Sequence, residues 1–211
     1  TWEETEKNIL KLSKVIKENI KEGSRCLLVS ENRPEWFIAD IGIQSIGAVS
    51  VGLYPTNPSS EVEYLLSHSE SKILFAEDQE QVDKALEVID QLPKLEKIVY
   101  FEDKGLYSYD HPKLMRFDEF LDLGKSEYES FPEYVDQQLE NLEDDDVAFL
   151  VYTSGTTGKP KGSMITHGNI AWVATQIPNF SLVENVKSKE PQFLSYLPLC
   201  HIFGRLIDLL V

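Results

Sequence analysis

Residues 147–162 have the sequence VAFLVYTSGTTGKPKG, in which an apolar run leads directly into a loop of small polar residues. The run 147–152 predicts a buried strand, because its apolar residues do not alternate with polar ones. In the loop, three glycines permit tight turns and let backbone N–H groups approach an anion closely. Further donors and positive charge come from Thr153, Ser154, Thr156, Thr157, Lys159 and Lys161. The stretch therefore predicts a strand that ends in a phosphate-binding loop.

This loop differs from the Walker A phosphate loop, in which Ser or Thr directly follows Gly-Lys. Here Pro160 follows Gly158 and Lys159, so the loop is of another kind. A flexible surface loop of small polar residues is the alternative interpretation. The two lysines stand out in a chain of net charge −16, which favours the phosphate loop.

Outward from this stretch, short apolar runs alternate with helical patterns. Strand-like runs occupy residues 26–29, 48–53, 73–76 and 98–101. Helices are predicted over 2–20 and over 34–47, the second of them starting at a capping pair of Asn32 and Glu35. A third helix is predicted to start at a capping pair of Ser60 and Glu63. A fourth is indicated by the apolar stripe Val82, Ala85, Leu86 and Ile89. Non-alternating strands separated by helices predict an α/β fold, a mostly parallel sheet with crossover helices.

The domain organisation follows from the same patterns. We predict βα repeats over residues 1–101, an irregular acidic excursion over 102–146, and the phosphate loop with a further segment over 147–211. A last strand is predicted over 193–197. The apolar run 206–211 has neither a cap nor a polar tail, so we expect an incomplete domain whose remainder is absent.

Composition excludes several classes of function. The hydrophobic fraction of 42% and the charged fraction of 27% are those of an ordinary globular protein. The net charge of −16 argues against a nucleic-acid partner and against a broad footprint on an anionic membrane, and it leaves peripheral membrane contact open. Cys26 and Cys200 lie far apart in apolar runs, which indicates reduced thiols and a cytoplasmic protein.

Residues 153–162 resemble the signature of the AMP-binding, adenylate-forming superfamily, which includes acyl-CoA synthetases, peptide-synthetase adenylation domains and luciferases. Residues 2–4, 30–36, 47–56 and 164–169 also resemble its amino-terminal region. The resemblance implies the front part of the large N-terminal domain of an adenylate-forming enzyme. It also implies that the β- and γ-phosphates of ATP are held by Thr153, Ser154, Gly155, Thr156, Thr157, Gly158 and Lys159, with Lys161 mobile over them.

The second chemical candidate is His201. A lone histidine beside apolar residues is more often a packing residue, so its role rests on a resemblance. Residues 197–203, LPLCHIF, resemble a segment that lines the acyl pocket near the ATP α-phosphate, most of all in fatty acyl-CoA synthetases. This implies that His201 acts in catalysis together with Lys161, while Leu199, Ile202 and Phe203 hold the acyl chain. Gly204 stands where such synthetases often have an acidic residue, which leaves the acyl chain length open.

Three other features have ordinary explanations. Residues 144–146, all aspartate, predict a solvated turn, and no metal site is predicted. Cys200 beside His201 is a poor candidate for a nucleophile, because neighbours in sequence seldom face each other. His167 and Asn169 are expected to cap a helix.

The resemblance implies a two-step reaction with ATP, Mg²⁺ and coenzyme A. A fatty acid carboxylate forms an acyl-adenylate, and the coenzyme A thiol then takes the acyl group. The family's magnesium glutamate, ribose-binding aspartate and catalytic lysine are expected elsewhere in a longer protein, so these 211 residues alone are expected to be inactive. The alternatives are ligation to an acyl-carrier protein, activation of an aryl or amino acid, or a non-catalytic nucleotide-binding module if 211 residues is the natural length. The sequence does not indicate an oligomeric state.

Overall fold

A computed structural model describes residues 1–20, 23–124, 134–153, 158–176 and 194–210. In this part of the chain the strands are β1 (Arg25–Val29), β2 (Val49–Leu53), β3 (Ile73–Ala76), β4 (Lys97–Tyr100), β5 (Leu114–Arg116), β6 (Val147–Thr153) and β7 (Lys161–Thr166). They form one sheet in the order β5-β4-β3-β1-β2-β6-β7. Every neighbouring pair is parallel except β6 and β7, which are antiparallel. This confirms the predicted α/β fold with a mostly parallel sheet.

Helices precede, connect and follow the strands. They are α1 (Trp2–Asn19), α2 (Pro34–Gln44), α3 (Ser59–Ser69), α4 (Gln79–Glu87), α5 (Phe117–Leu123), α6 (Tyr134–Leu139), α7 (His167–Gln176) and α8 (Ile202–Leu210). Among the described residues, none of these helices combines the length and the apolar character needed to cross a bilayer.

In the described part of the chain the core has two large layers, one on each face of the sheet, and a smaller cluster of Ala148, Phe149 and Val151 on β6. Successive side chains of a strand point to opposite faces, so β1 sends Leu28 to one layer and Leu27 to the other. The first layer packs under α1, α2 and α5, and the second packs under α3 and α4. Both faces of the central strands are therefore covered, which explains why their sequences are apolar without alternation.

The expected irregular excursion over 102–146 contains regular elements among its described residues, although residues 102–113 form neither helix nor strand. This region adds β5 to the sheet edge and α5 to the first core layer. Phe117 and Phe120 are buried, and their rings lie 6.4 and 5.9 Å from that of Phe75. Asp118 is exposed on the same helix. The acidic composition therefore describes only the solvent-facing side of α5.

The predicted capping pair at α2 and the last predicted strand were wrong. The N-cap of α2 is Arg33, whose side chain makes no capping hydrogen bond. The amide of Asn32 instead donates to Ser195 Oγ at 3.0 Å and to the carbonyl oxygen of Leu197 at 2.8 Å, and its Oδ1 accepts from the backbone N–H of Leu199 at 3.0 Å. Residues 194–197 are thus tied to the β1–α2 connection by a side chain and do not form a strand, while residue 193 lies outside the described residues.

The start of α3 differs from the prediction as well. Pro58 is its N-cap, without a side-chain bond, so Ser60 and Glu63 do not form the expected capping pair. The predicted apolar face of the helix is buried, at Val62, Leu65 and Leu66. The helix is therefore positioned by this face against the second core layer.

Candidate active site

A cavity of about 390 Å³ opens where β2 and β6 end. The carboxyl edge of the strands is where open α/β sheets bind ligands. The cavity is lined by Gly52, Leu53, Tyr54, Asn57, Glu61, Leu65, Val151, Tyr152, Thr153, Pro160, Cys200, His201 and Ile202. Two of the predicted site residues, Thr153 and His201, therefore share one cavity although they are far apart in sequence.

The predicted phosphate loop joins two antiparallel strands. Thr153 ends β6, and it is paired with Lys161, the first residue of β7. The connection is therefore closed at its base by a strand ladder, whereas a Walker A loop continues into a helix. Ser154, Gly155, Thr156 and Thr157 lie outside the described residues, and their contacts with phosphate stay a prediction.

The two lysines lie on either side of Pro160, which lines the cavity. The Lys159 ammonium lies 4.9 Å from the centre of the Tyr64 ring, a cation–π contact. Lys161 is exposed at the start of β7. The positive charge of the loop is thereby held beside the cavity, and Gly158 adopts a positive φ of 109° just before it.

His201 is exposed and lines the cavity, which differs from a packed core histidine. Its Nδ1 lies 3.2 Å from the backbone nitrogen of Phe203 and accepts that N–H in the first turn of α8. In a neutral imidazole the proton is then on Nε2, which leaves Nε2 as a hydrogen-bond donor. Of the neighbours expected to hold an acyl chain, Ile202 lines the cavity, while Leu199 is buried in the core.

Close backbone packing shapes the cavity floor. A Cβ atom at Gly52 would lie 2.8 Å from the Cα of Cys200, so only glycine lets this segment rest directly on β2. Burial raises the pKa of the Cys200 thiol to about 12. The thiol is therefore protonated at neutral pH, which agrees with the low ranking of Cys200 as a nucleophile.

A buried ion pair that the sequence did not reveal anchors α8. Arg205 and Asp40 are 1% and 0% exposed, and the guanidinium lies 3.2 Å from the Asp40 Oδ1. The Ser50 hydroxyl donates to the same oxygen at 2.5 Å, and the guanidinium stacks 4.0 Å from the centre of the Phe149 ring. Burial lowers the pKa of Arg205, and Asp40 offsets part of that effect. The one available signal was Asp40, a carboxylate in the middle of the mostly apolar helix α2.

The acidic turn before β6 behaves as predicted. The backbone carbonyls of Asp144 and Asp146 accept from the backbone of Gly168 and His167, and all three aspartates are partly or fully solvent-exposed. The described residues contain no group of three or more His, Cys, Asp or Glu side chains that could hold a metal ion. Asn169 exchanges hydrogen bonds with Thr166 at the start of α7, which confirms its expected capping role.

The family model of the AMP-binding enzyme matches residues 1–211. The chain belongs to the AMP-binding enzyme family. Among curated members, the long-chain-fatty-acid–CoA ligase ACSBG2 of Xenopus laevis is 37% identical over 178 residues, which are 84% of this chain and 23% of the relative. The human ACSBG2 ligase is 34% identical over 187 residues, which are 85% of this chain and 26% of the relative.

The chain therefore spans about a quarter of the length of the family members that it matches. Two solved structures share the fold. The luciferase-like enzyme of Zophobas morio has a TM-score of 0.73 at 19% identity, over 98% of this chain and 44% of that protein. The long-chain-fatty-acid-CoA ligase FadD1 of Archaeoglobus fulgidus has a TM-score of 0.72 at 21% identity, over 97% of this chain and 36% of that protein. The expected resemblance and fold class are thus confirmed.

Proposed function

We propose that this chain is part of a ligase that activates a fatty acid with ATP and then transfers the acyl group to coenzyme A. The observation that carries the proposal is the shared cavity of His201 and Thr153, the first residue of the predicted phosphate loop. Membership of the AMP-binding enzyme family supports an adenylate-forming reaction. The names of the ACSBG2 relatives support a long-chain fatty acid as substrate and coenzyme A as acceptor.

The proposed first step joins the carboxylate to the nucleotide. A carboxylate oxygen attacks the α-phosphorus, and the bond from that phosphorus to the pyrophosphate breaks. Positive charge on Lys159 and Lys161 favours the departing pyrophosphate, because preorganised donors stabilise charge that develops in the transition state. The Nε2–H of His201 donates to a carboxylate or α-phosphate oxygen and so orients two anions that would otherwise repel each other.

The proposed second step exchanges AMP for a thiol. The sulfur of coenzyme A attacks the acyl carbon, the bond to AMP breaks, and the thiol proton passes to solvent. Mg²⁺ is proposed as a companion of ATP. The described residues contain no cluster of three or more metal-binding side chains, so none of them is assigned as a ligand of Mg²⁺.

The substrate class can be tested with the full-length protein. Pyrophosphate release is measured with ATP and Mg²⁺ in the presence of decanoate, palmitate, benzoate or a mixture of amino acids, and acyl-CoA is measured after addition of coenzyme A. We expect release that depends on the fatty acids and an acyl-CoA product. Release with benzoate or amino acids alone would contradict the fatty acid assignment, and the absence of release with every acid would contradict ligation itself.

The role of His201 needs variants that separate chemistry from helix capping. His201→Ala removes the donor and also the acceptor for the Phe203 N–H, whereas His201→Asn keeps a good capping acceptor. We expect both to slow single-turnover adenylation about 10- to 100-fold, the scale of one or two charge-assisted hydrogen bonds. Only the alanine variant should also lose about 1 kcal/mol of stability. Normal adenylation by both variants would identify His201 as a cap alone.

A further inference from the structure

One face of α3 contacts the connection between β6 and β7 at both of its ends. Tyr64 and His68 are one helical turn apart, and their rings lie 5.3 Å from each other. Val62, Leu65 and Leu66 of the same helix are buried in the core. The two rings therefore stand on a helix that is itself held firmly, and they face the predicted phosphate loop.

At the entry to the loop, His68 contacts Tyr152. The Nδ1 of His68 lies 2.7 Å from the Tyr152 hydroxyl, and the two rings meet edge to face at 5.7 Å. Burial raises the pKa of Tyr152 to about 12. The phenol therefore keeps its proton at neutral pH and can donate to the imidazole. This contact fixes the residue that directly precedes Thr153.

At the exit from the loop, Tyr64 makes two contacts. Its hydroxyl donates to the carbonyl oxygen of Pro160 at 2.8 Å, and its ring lies under the Lys159 ammonium at 4.9 Å. Pro160 separates the two lysines of the loop. Tyr64 therefore fixes the peptide between them and the side chain of one of them.

We propose that Tyr64 and His68 form a brace that sets the geometry of the phosphate loop and thereby the affinity for ATP. The inference rests on the proposed function of that loop. Residues that are already fixed on either side of the loop lose less conformational freedom when phosphates bind, so a larger share of each contact appears as binding free energy. Neither residue is expected to touch the nucleotide, and both are positioning residues.

The test measures ATP affinity directly, by isothermal titration calorimetry on the full-length protein with ATP and Mg²⁺. Tyr64→Phe removes only the hydrogen bond to Pro160 and is expected to raise the Kd about 3- to 10-fold, the value of one such bond. Tyr64→Leu also removes the ring under Lys159 and is expected to raise it further. His68→Leu removes the contact at the other end of the loop and is also expected to raise the Kd for ATP.

Tyr109→Phe is the matched control. Its hydroxyl also has two partners, Asp83 at 2.7 Å and Gln79 at 2.9 Å, but they lie on α4. This variant is expected to bind ATP as the wild type does. In steady-state kinetics, the Tyr64 variants should raise the KM for ATP and leave the KM for the fatty acid within about twofold of the wild-type value, because the loop holds phosphates and not the acyl chain.

An unchanged Kd for ATP in Tyr64→Phe and His68→Leu would overturn the brace, as would a lower melting temperature with no change in ATP affinity. Failure of the proposed function gives a different pattern. A wild-type protein that binds ATP, and whose Kd responds to Tyr64, but that forms no acyl-adenylate would keep the brace and contradict the ligase. A wild-type protein that binds no ATP would overturn both.

Discussion

The buried pair of Arg205 and Asp40 gives the sharpest prediction for stability. Asp40→Leu removes the carboxylate that lies 3.2 Å from a guanidinium of which only 1% is exposed. That guanidinium would keep its charge without a partner. Breaking a buried pair from one side costs about 3–5 kcal/mol, and the lowered pKa of Arg205 shows that its desolvation is already only partly offset. We expect a loss of this size for the single variant.

The double variant Asp40→Leu with Arg205→Met separates charge from packing. Both replacements are apolar, Met is close to Arg in volume, and Leu keeps the branched shape of Asp although it is larger, so no charge remains buried. The cation–π contacts with Phe149 and Trp36 are lost, which costs about 1–2 kcal/mol. We therefore expect the double variant to be more stable than Asp40→Leu and within about 2 kcal/mol of the wild type.

The measurement is urea denaturation of the full-length wild type and both variants, followed by tryptophan fluorescence, since Trp36 lies beside the pair. Ser45→Ala serves as a control, because its hydroxyl bonds only within its own helix region. A single variant that loses less than about 1 kcal/mol would refute the reasoning. A double variant less stable than the single one would show that packing of Arg205, and not its charge, dominates.

Three further predictions concern the loop, the cavity segment and acid stability. Lys161→Ala should lower the adenylation rate about 100-fold, because the proposed role of this exposed lysine is to stabilise the departing pyrophosphate, and the melting temperature should not change. An unchanged rate would exclude Lys161 from the site. Gly204→Ala should lower the free energy of unfolding, measured by urea denaturation, by about 1–3 kcal/mol, because the new Cβ would lie 2.4 Å from the carbonyl oxygen of Pro198. A variant more stable than the wild type would contradict that contact. Burial lowers the pKa of His167 below 6.5, so the unfolded chain binds the proton more tightly, and stability should fall as the pH drops below about 6.5. His167→Gln should flatten this part of a plot of melting temperature against pH, and an identical slope would exclude His167 as the cause.

The sequence predicted the parts of the fold that local patterns determine. Residues 26–29 and 73–76 are apolar without alternation because helices cover both sides of the sheet, and such runs identify central strands. The edge strand β7 has no such pattern. It is partly exposed and contains Gly162 and Ser163, so nothing in its composition indicates pairing. Helix α5 was missed for a similar reason. About half of its residues are buried and the others are mostly acidic, so its composition resembles that of an irregular segment.

The two motifs placed Thr153 and His201 as candidates, and both residues line one cavity, while their roles stay predictions. The residues that hold those elements in place were not found. Each of these residues acts through a partner from a distant part of the chain, as Asn32, Arg205 and Tyr64 do. Such a contact cannot be predicted from a single sequence. Asn32 even had a plausible local role as a helix cap, which the long-range bonds to Ser195 and Leu197 replace.

The ladder between Thr153 and Lys161 has a consequence for how the loop can vary in length. Because the two strands are already paired at these residues, the connection 154–160 forms a short loop. The entropy lost on closing such a loop depends only weakly on the number of residues in it. Doubling its length would cost only about 0.6 kcal/mol of chain entropy. Folding therefore tolerates insertions there, and a variant with two added glycines should melt almost as the wild type does.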